Sequence, residues 1–136
     1  MISFDASKPE NVFALPDGER AIVILEGISM YLTNEQVNAF FQALAKKYPS
    51  LHILMDVYTV FGAKASKYKN PVNDVGVTEL YGIDEIQSVL VGTEMKLKGE
   101  HSFTPKGLVK ELKKSERWFF KIMFSEGLYK KIYRLY

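Results

Sequence analysis

This sequence has no cysteine, only two histidines and no long run of apolar residues. The absence of cysteine excludes disulfides, thiolate metal ligands and cysteine nucleophiles. No apolar stretch approaches the roughly 18 residues that a membrane-spanning helix needs. The N-terminus also lacks the basic start and apolar middle of a signal peptide. We therefore expect no membrane association and a cytoplasmic location.

Motifs for metal, nucleophilic or phosphate chemistry are also missing. The two histidines, His52 and His101, are far apart in the sequence, so neither a metal site nor a Ser-His-Asp triad is predicted. Neither G-x-G-x-x-G nor G-x-x-x-x-G-K-[ST] occurs, so no loop is built to hold a phosphate. No residue is therefore predicted to be catalytic, and a ligand site must be built from other residues.

Charge is unevenly distributed along the chain. Residues 105–136 carry nine basic and three acidic side chains, whereas residues 1–60 carry four basic and seven acidic ones. A basic segment could bind nucleic acid or an anionic surface. Aromatic residues crowd the same segment and favour packing over a disordered basic arm, so nucleic-acid binding is not the expected role. They are Trp118, Phe119, Phe120, Phe124, Tyr129, Tyr133 and Tyr136.

Two apolar segments and the sequence between them predict a strand, a helix and a second strand. "AIVIL" (21–25) and "LHILMDV" (51–57) are continuous apolar runs, typical of parallel strands covered on both faces. Between them, Thr33 and Gln36 have the spacing of a helix capping box, and Pro49 closes the helix. A connection of this kind makes the two strands parallel. The apolar residues on one face of the helix are Val37, Phe40, Phe41, Leu44 and Tyr48.

The remaining segments carry weaker signals. Residues 5–20 contain two prolines and "PDG", which predicts a loop with one short helical turn. Residues 61–78 predict a loop or an irregular helix. Residues 93–104 alternate apolar and charged side chains, as in a strand with one solvent-facing side. A helix is expected from residue 105, and residues 128–136 predict a final strand or helix.

Two carboxylates stand at the ends of the predicted parallel strands. Glu26 directly follows the first strand, and Asp56 lies near the end of the second. Because ligands bind beyond the carboxyl ends of strands in open α/β sheets, both acids are expected on one rim. Gly27 permits a sharp turn or the close approach of a ligand. The carboxylates could accept hydrogen bonds from a ribose, an amine or a sulfonium-bearing amino acid, or hold a metal. Alternatively, Glu26 caps the following turn and Asp56 is solvated.

The stretch "AIVILEGISMYLTNEQVNAFFQAL" resembles a known family. It is similar to the class I S-adenosylmethionine-dependent methyltransferases of the leucine carboxyl methyltransferase and tetracenomycin-type polyketide O-methyltransferase group. In that family the fourth strand runs into Glu-Gly, a few apolar residues, and then Tyr-Leu and Thr at a helix start. Here these are Glu26, Gly27 and the residues from Tyr31 to Thr33. The later "YGID" (81–84) and the aromatic C-terminal segment also resemble the polyketide-type members.

The resemblance implies a partial Rossmann-like methyltransferase fold, an α/β single domain over residues 1–136. Its sheet would be mostly parallel, with flanking helices and an antiparallel C-terminal strand, as in the C-terminal portion of such enzymes. Asp5 and Ala6 would lie at the adenine end of S-adenosylmethionine, and Glu26 near its methionine end. The family's glycine-rich loop and ribose-binding acid have no counterpart in this chain, so we expect weak or no cofactor binding by the chain alone. The implied cofactor-binding residues are Asp5, Ala6, Glu26, Gly27 and Tyr31.

Two functions follow as alternatives. In the first, the chain is part of an S-adenosylmethionine-dependent O-methyltransferase that acts on a hydroxyl or carboxylate of a small molecule once an N-terminal half completes it. In the second, it is a non-catalytic α/β remnant that self-associates or binds a protein partner through an unpaired sheet edge. Three lysines of the 61–78 segment could attract an acidic acceptor or simply be solvated: Lys64, Lys67 and Lys69.

Overall fold

A computed structural model describes residues 3–66, 79–101, 106–123 and 130–136. The protein is an α/β protein with a small mixed sheet. Its strands are β1 (Arg20–Leu25), β2 (Ser50–Tyr58) and β3 (Tyr133–Leu135), in the order β1-β2-β3. Its helices are α1 (Asn34–Lys47), α2 (Val60–Ser66), α3 (Lys106–Glu111) and α4 (Lys114–Met123). Short 3-10 turns occur at Pro9–Ala14, Ser29–Tyr31 and Ile86–Val89.

The strand pairing confirms the predicted parallel unit and shows a small mixed sheet. β1 and β2 are parallel, with Ala21 opposite Leu51 and Leu25 opposite Met55. β3 pairs with β2 in the antiparallel direction, as expected for the C-terminal strand. In the described residues the sheet is thus mixed, with one parallel and one antiparallel pair. In that part of the chain β1 is an edge strand.

Helix α1 forms where its local signals predicted it. The backbone N–H of Thr33 donates to Gln36 Oε1 at 2.8 Å, and the backbone N–H of Gln36 donates to Thr33 Oγ1 at 3.2 Å. This reciprocal capping box satisfies two amides that have no partner within the helix. The helix ends at Lys47, just before Pro49. The predicted apolar face is buried: Val37, Phe40, Phe41, Leu44 and Tyr48.

The main core lies between α1 and one face of the sheet. Leu25, Met55 and Val57 of the strands pack in the same buried cluster as the apolar face of α1. Val12 of the first 3-10 turn and Val89 of the third complete it, and both are fully buried. A second, smaller cluster covers the carboxyl end of β2 on the opposite face. Its members are Met30, Ala63 and Leu80, with Tyr58 and Tyr133 packed against them.

The expectation that both strands are covered on both faces was wrong. Ile22 and Ile24 are 78% and 64% exposed, and His52 and Leu54 of β2 are exposed on the same face. Helix α1 covers one face of the strand pair, and the smaller cluster reaches only the carboxyl end of the other. Within the described residues, the two apolar strands are therefore covered fully on one face only. On the other face, a patch of apolar side chains is exposed to solvent.

The weaker signals had mixed outcomes. The short helical turn expected within residues 5–20 is present at Pro9–Ala14. The strand expected over 93–104 was wrong in its described part, because only His101 pairs, in a single bridge with Leu135. Alternation of side chains does not make a strand where the backbone has no neighbour to pair with.

Other expectations lie partly outside the described residues. These include residues 67–78 of the predicted loop or irregular helix, with the lysines Lys67 and Lys69, whereas Lys64 is exposed on α2. The C-terminal segment contains a strand, β3, and helices α3 and α4 occupy the region where a helix was expected. No helix in the described part of the chain is both long and apolar enough to cross a bilayer.

Candidate functional site at the carboxyl ends of the parallel strands

A glycine turn directly follows β1. Gly27 has a φ of 66°, a left-handed conformation that costs a residue with a Cβ roughly 1–2 kcal/mol. Its backbone N–H donates to both carboxylate oxygens of Asp56, at 2.9 and 3.0 Å. The two rim positions predicted from the sequence are thus brought together. The alternative, in which Glu26 caps the turn and Asp56 is solvated, does not hold. Asp56 caps this turn, and it is buried.

Asp56 joins three parts of the chain. The residue is 3% exposed, and the hydroxyl of Tyr133 on β3 donates to its Oδ2. Ser29 Oγ donates to the Asp56 backbone carbonyl at 2.5 Å. A buried carboxylate needs such donors, because an unpaired one is strongly disfavoured. Asp56 is therefore a positioning residue, which fixes the β1 turn against β2 and β3.

The segment from Glu26 to Tyr31 is held by hydrogen bonds at Ser29 and Met30, while the side chains at its two ends stay accessible. Ser29 is tied to Asp56, and the carbonyl of Met30 accepts from the backbone N–H of Tyr81 at 2.8 Å. Glu26 is exposed, and Tyr31 is 40% exposed. The structure therefore presents a carboxylate and a phenol beyond the carboxyl end of β1, on either side of the turn that Asp56 caps.

Asp5 forms a local turn of its own. It is exposed, and its Oδ1 accepts from the Ser7 hydroxyl at 2.6 Å and from the Ser7 backbone N–H at 3.0 Å. These two bonds, with Lys8 3.7 Å away, lower the pKa of the carboxyl group below its ordinary value. Its other hydrogen bonds run to Lys8 and Asn11, so none of them reaches the Glu26 turn. Ala6 beside it is partly buried against the main core.

Two contributors to this site were not found from the sequence. Tyr133 reaches Asp56 across 77 positions of sequence, and Ser29 reaches the same residue across 27. The aromatic and aliphatic residues of "IYRLY" are compatible with a strand, but the sequence left this segment open between a strand and a helix and so did not place Tyr133 beside Asp56. No pattern in the sequence signals the role of Ser29.

No protein-family model, curated protein or solved structure matches this chain. Any functional assignment therefore rests on the geometry of the rim. Within the described ranges, no group of three or more acidic or histidine side chains could hold a metal ion.

A cavity of about 750 Å³ lies elsewhere, along the edge of β2 that faces away from β1. It contains none of the five residues implied by the family resemblance. Both histidines line it, so the structure brings together two residues that are distant in sequence. The rim of the parallel strands and this cavity, which we call the β2 cleft, are separate features.

Proposed function

We propose that this chain forms the C-terminal part of an S-adenosylmethionine-dependent O-methyltransferase, with the segment from Glu26 to Tyr31 bordering the methionine end of the cofactor. The observation that carries the proposal is an exposed carboxylate directly after a parallel strand, on a turn that Asp56 fixes. The space beside that turn is open, since a Cβ added at Gly27 would meet no atom within 4 Å. A ligand can therefore approach the backbone there.

The order of the strands supports this proposal. A parallel pair joined through α1, followed by an antiparallel C-terminal strand next to β2, is the arrangement that the family resemblance implies. The contact of Asp5 and Ala6 with the adenine end belongs to the same proposal. There the exposed carboxylate of Asp5 and the half-buried methyl of Ala6 would provide one polar and one apolar contact.

The chemistry fits a site without acid–base residues. Methyl transfer depends mainly on holding the acceptor oxygen in line with the sulfonium methyl, which is a matter of proximity and orientation. Bound S-adenosylmethionine supplies the methyl group. Glu26 would accept hydrogen bonds from the ammonium group of a bound cofactor, and the turn that Asp56 caps would hold that carboxylate at the strand end. The acceptor would be a small molecule with a hydroxyl or carboxylate.

The rest of the site has to come from another polypeptide segment. The sequence has no glycine-rich loop and no acid placed to hold the ribose hydroxyls. In the described part of the chain β1 has no strand on its outer side, so its amides and carbonyls there are available for pairing. A segment that pairs with this edge would bring its own loops to the same rim, because parallel neighbours end at the same edge of a sheet.

Saturation-transfer-difference NMR with S-adenosylhomocysteine tests the proposal on the chain as it is. We expect millimolar binding in which the amino-acid protons of the ligand receive saturation. Glu26→Gln should reduce that signal, whereas the exposed Glu111→Gln on α3 should leave it unchanged. Absence of saturation transfer at several millimolar ligand, or an equal signal from Glu26→Gln, would contradict the proposal. Micromolar binding would show instead that no further segment is needed.

A second candidate function is that of a non-catalytic binding module. The observation that favours it is the exposed apolar patch of Ile22, Ile24 and Leu54 beside the free edge of β1. Apolar patches on a sheet, next to unpaired backbone groups, are typical of interaction surfaces. Self-association through this patch requires neither cofactor nor acceptor.

A further inference from the structure

The last strand occupies a space between two parts of the chain. On one side, Tyr136 exchanges two backbone hydrogen bonds with Met55, at 2.7 and 2.8 Å. On the other side, the carbonyl of Leu135 accepts from the backbone N–H of His101 at 2.8 Å. β2 and the segment that ends at His101 are thus held two strand spacings apart, about 9–10 Å. The gap between them is the width of one strand.

The β2 cleft is the continuation of this gap beyond Tyr136. Residues 51–55 of β2 line one side of it, and residues 92–99 with His101 line the other. Successive residues of a strand direct their backbone groups to opposite edges, and Met55 directs its groups toward β3. By the same alternation, Leu51 and Ile53 direct their N–H and C=O groups into the cleft. No strand pairs with them in the part of the chain that the structure describes.

The walls of the cleft indicate the chemistry of its occupant. Its inner side carries apolar side chains from α1, from the residue that ends α1 and from the end of the third 3-10 turn, among them Phe41, Tyr48 and Leu90. Its charged side chains are three lysines and one glutamate: Lys46, Lys96, Lys98 and Glu94. An extended peptide that alternates apolar and acidic residues would place its apolar side chains against α1. Its carboxylates would then lie near the lysines.

We propose that the β2 cleft binds an extended acidic peptide segment as an added strand, in line with β3. The occupant gains main-chain hydrogen bonds from Leu51 and Ile53, which is the usual source of affinity in strand addition. The alternating apolar positions and the lysine rim set its specificity. The volume of about 750 Å³ lies within the range of roughly 300–1,000 Å³ that is common for binding clefts. This proposal is independent of cofactor binding at the Glu26 rim.

The test uses a fluorescent eight-residue peptide that alternates valine and glutamate, capped at both ends, with anisotropy as the readout. We expect a Kd of about 100 µM or tighter at low salt, weakening as salt is added. The same peptide with lysine in place of glutamate should not bind. A version methylated on every second backbone nitrogen should also fail, because it keeps the side chains but loses the main-chain donors.

Paired charge reversals separate the lysine rim from general electrostatics. Lys96→Glu with Lys98→Glu should weaken the acidic peptide about tenfold or more, because both lysines line the cleft. Lys114→Glu with Lys121→Glu reverses two exposed charges on α4 and should change the Kd by less than about twofold. Both double variants alter exposed side chains, so circular dichroism should show unchanged folding. In 15N-labelled protein, the amides of Leu51 and Ile53 should shift on peptide addition.

Three results would overturn the proposal. The first is no binding of the glutamate peptide at millimolar concentration. The second is equal binding of the methylated peptide, which would exclude strand pairing. The third is an equal loss of affinity in the two double variants, which would mean that overall charge, and not the cleft, attracts the peptide.

Discussion

A buried carboxylate must be matched by donors, and Asp56 is matched by groups from two distant parts of the chain. The Gly27 amide and the Tyr133 hydroxyl both donate to its side chain, and the residue is 3% exposed. The carboxylate of Asp56 fixes the turn next to Glu26. The buried acid of the rim therefore positions the exposed one. A sequence pattern can place both acids at strand ends. It cannot show which one is buried, because that depends on Tyr133, 77 positions away.

Removal of the Asp56 carboxylate should destabilise the fold. Asp56→Ala leaves the Gly27 amide and the Tyr133 hydroxyl without their acceptor, at a cost of about 1–3 kcal/mol for each buried group. We expect the free energy of unfolding in urea to fall by about 2–5 kcal/mol, with a smaller loss for Asp56→Asn, which keeps one acceptor oxygen. Tyr133→Phe should lower the free energy of unfolding by less than Asp56→Ala, because it removes one donor only. A change below about 0.5 kcal/mol in all three variants would refute this role for Asp56.

The turn at Asp5 predicts a pH dependence. The Ser7 hydroxyl and then its backbone N–H lower the pKa of Asp5 below the ordinary 3.8. Because the folded-state pKa is depressed, the associated stability is present above pH 3.8 and is lost as the pH falls through the folded-state pKa. Carbon-13 NMR titration should give a midpoint below 3.8 in the parent chain and a higher one in Ser7→Ala.

Ser88→Ala is the control for that titration, because the Ser88 hydroxyl donates to the backbone carbonyl of Glu85 and not to a carboxylate. It should leave the Asp5 midpoint unchanged. An Asp5 midpoint that is the same in Ser7→Ala as in the parent would show that the hydroxyl is not the cause.

At the scale of the elements, a helix or strand could be predicted where the residues that determine it lie within its own segment. Helix α1 was predictable because its cap, its apolar face and its proline stop all lie within the segment itself. The 93–104 segment was not, because its alternation predicts a strand only if a neighbour pairs with it, and the structure pairs it at His101 alone. Whether β1 is covered on both faces likewise depends on the elements that pack against it, so the residues of β1 could not determine it.

The capping box of α1 supplies the prediction at this scale. Thr33→Ala removes the acceptor for the Gln36 amide and should lower the free energy of unfolding by about 0.5–2 kcal/mol. Thr33→Ser keeps an oxygen in the same place and should retain most of the stability. Thermal unfolding followed by circular dichroism measures both variants. Equal stabilities for Ala and Ser would show that the hydrogen bond does not contribute.

At the scale of the whole molecule, the sheet is covered unequally. One face packs against α1, whereas Ile22, Ile24 and Leu54 face solvent beside an edge strand. Under the proposed methyltransferase function this patch would be a surface that a further segment covers, and under the binding-module alternative it would be a surface for a second copy. Both interpretations treat the patch as an interface. Both supply the second covering layer that the continuous apolar runs of the sequence predict.

Self-association should therefore depend on this patch. In sedimentation-velocity measurements at rising concentration, the parent chain should form a larger species. Ile22→Thr with Ile24→Thr should shift it toward the monomer. Val91→Thr also changes an exposed aliphatic residue, but far from the patch, and should sediment like the parent. A parent chain that stays monomeric at all concentrations would argue against an exposed interface.

The most direct measurement for the central claim is a titration of the 15N-labelled chain with S-adenosylhomocysteine, followed through backbone amide shifts. The account predicts that Gly27 and Tyr31 shift progressively at millimolar ligand, while Leu51 and Ile53 in the β2 cleft do not. Shifts confined to the β2 cleft, or the absence of any shift at Gly27, would contradict the assignment of the Glu26 rim as a cofactor site.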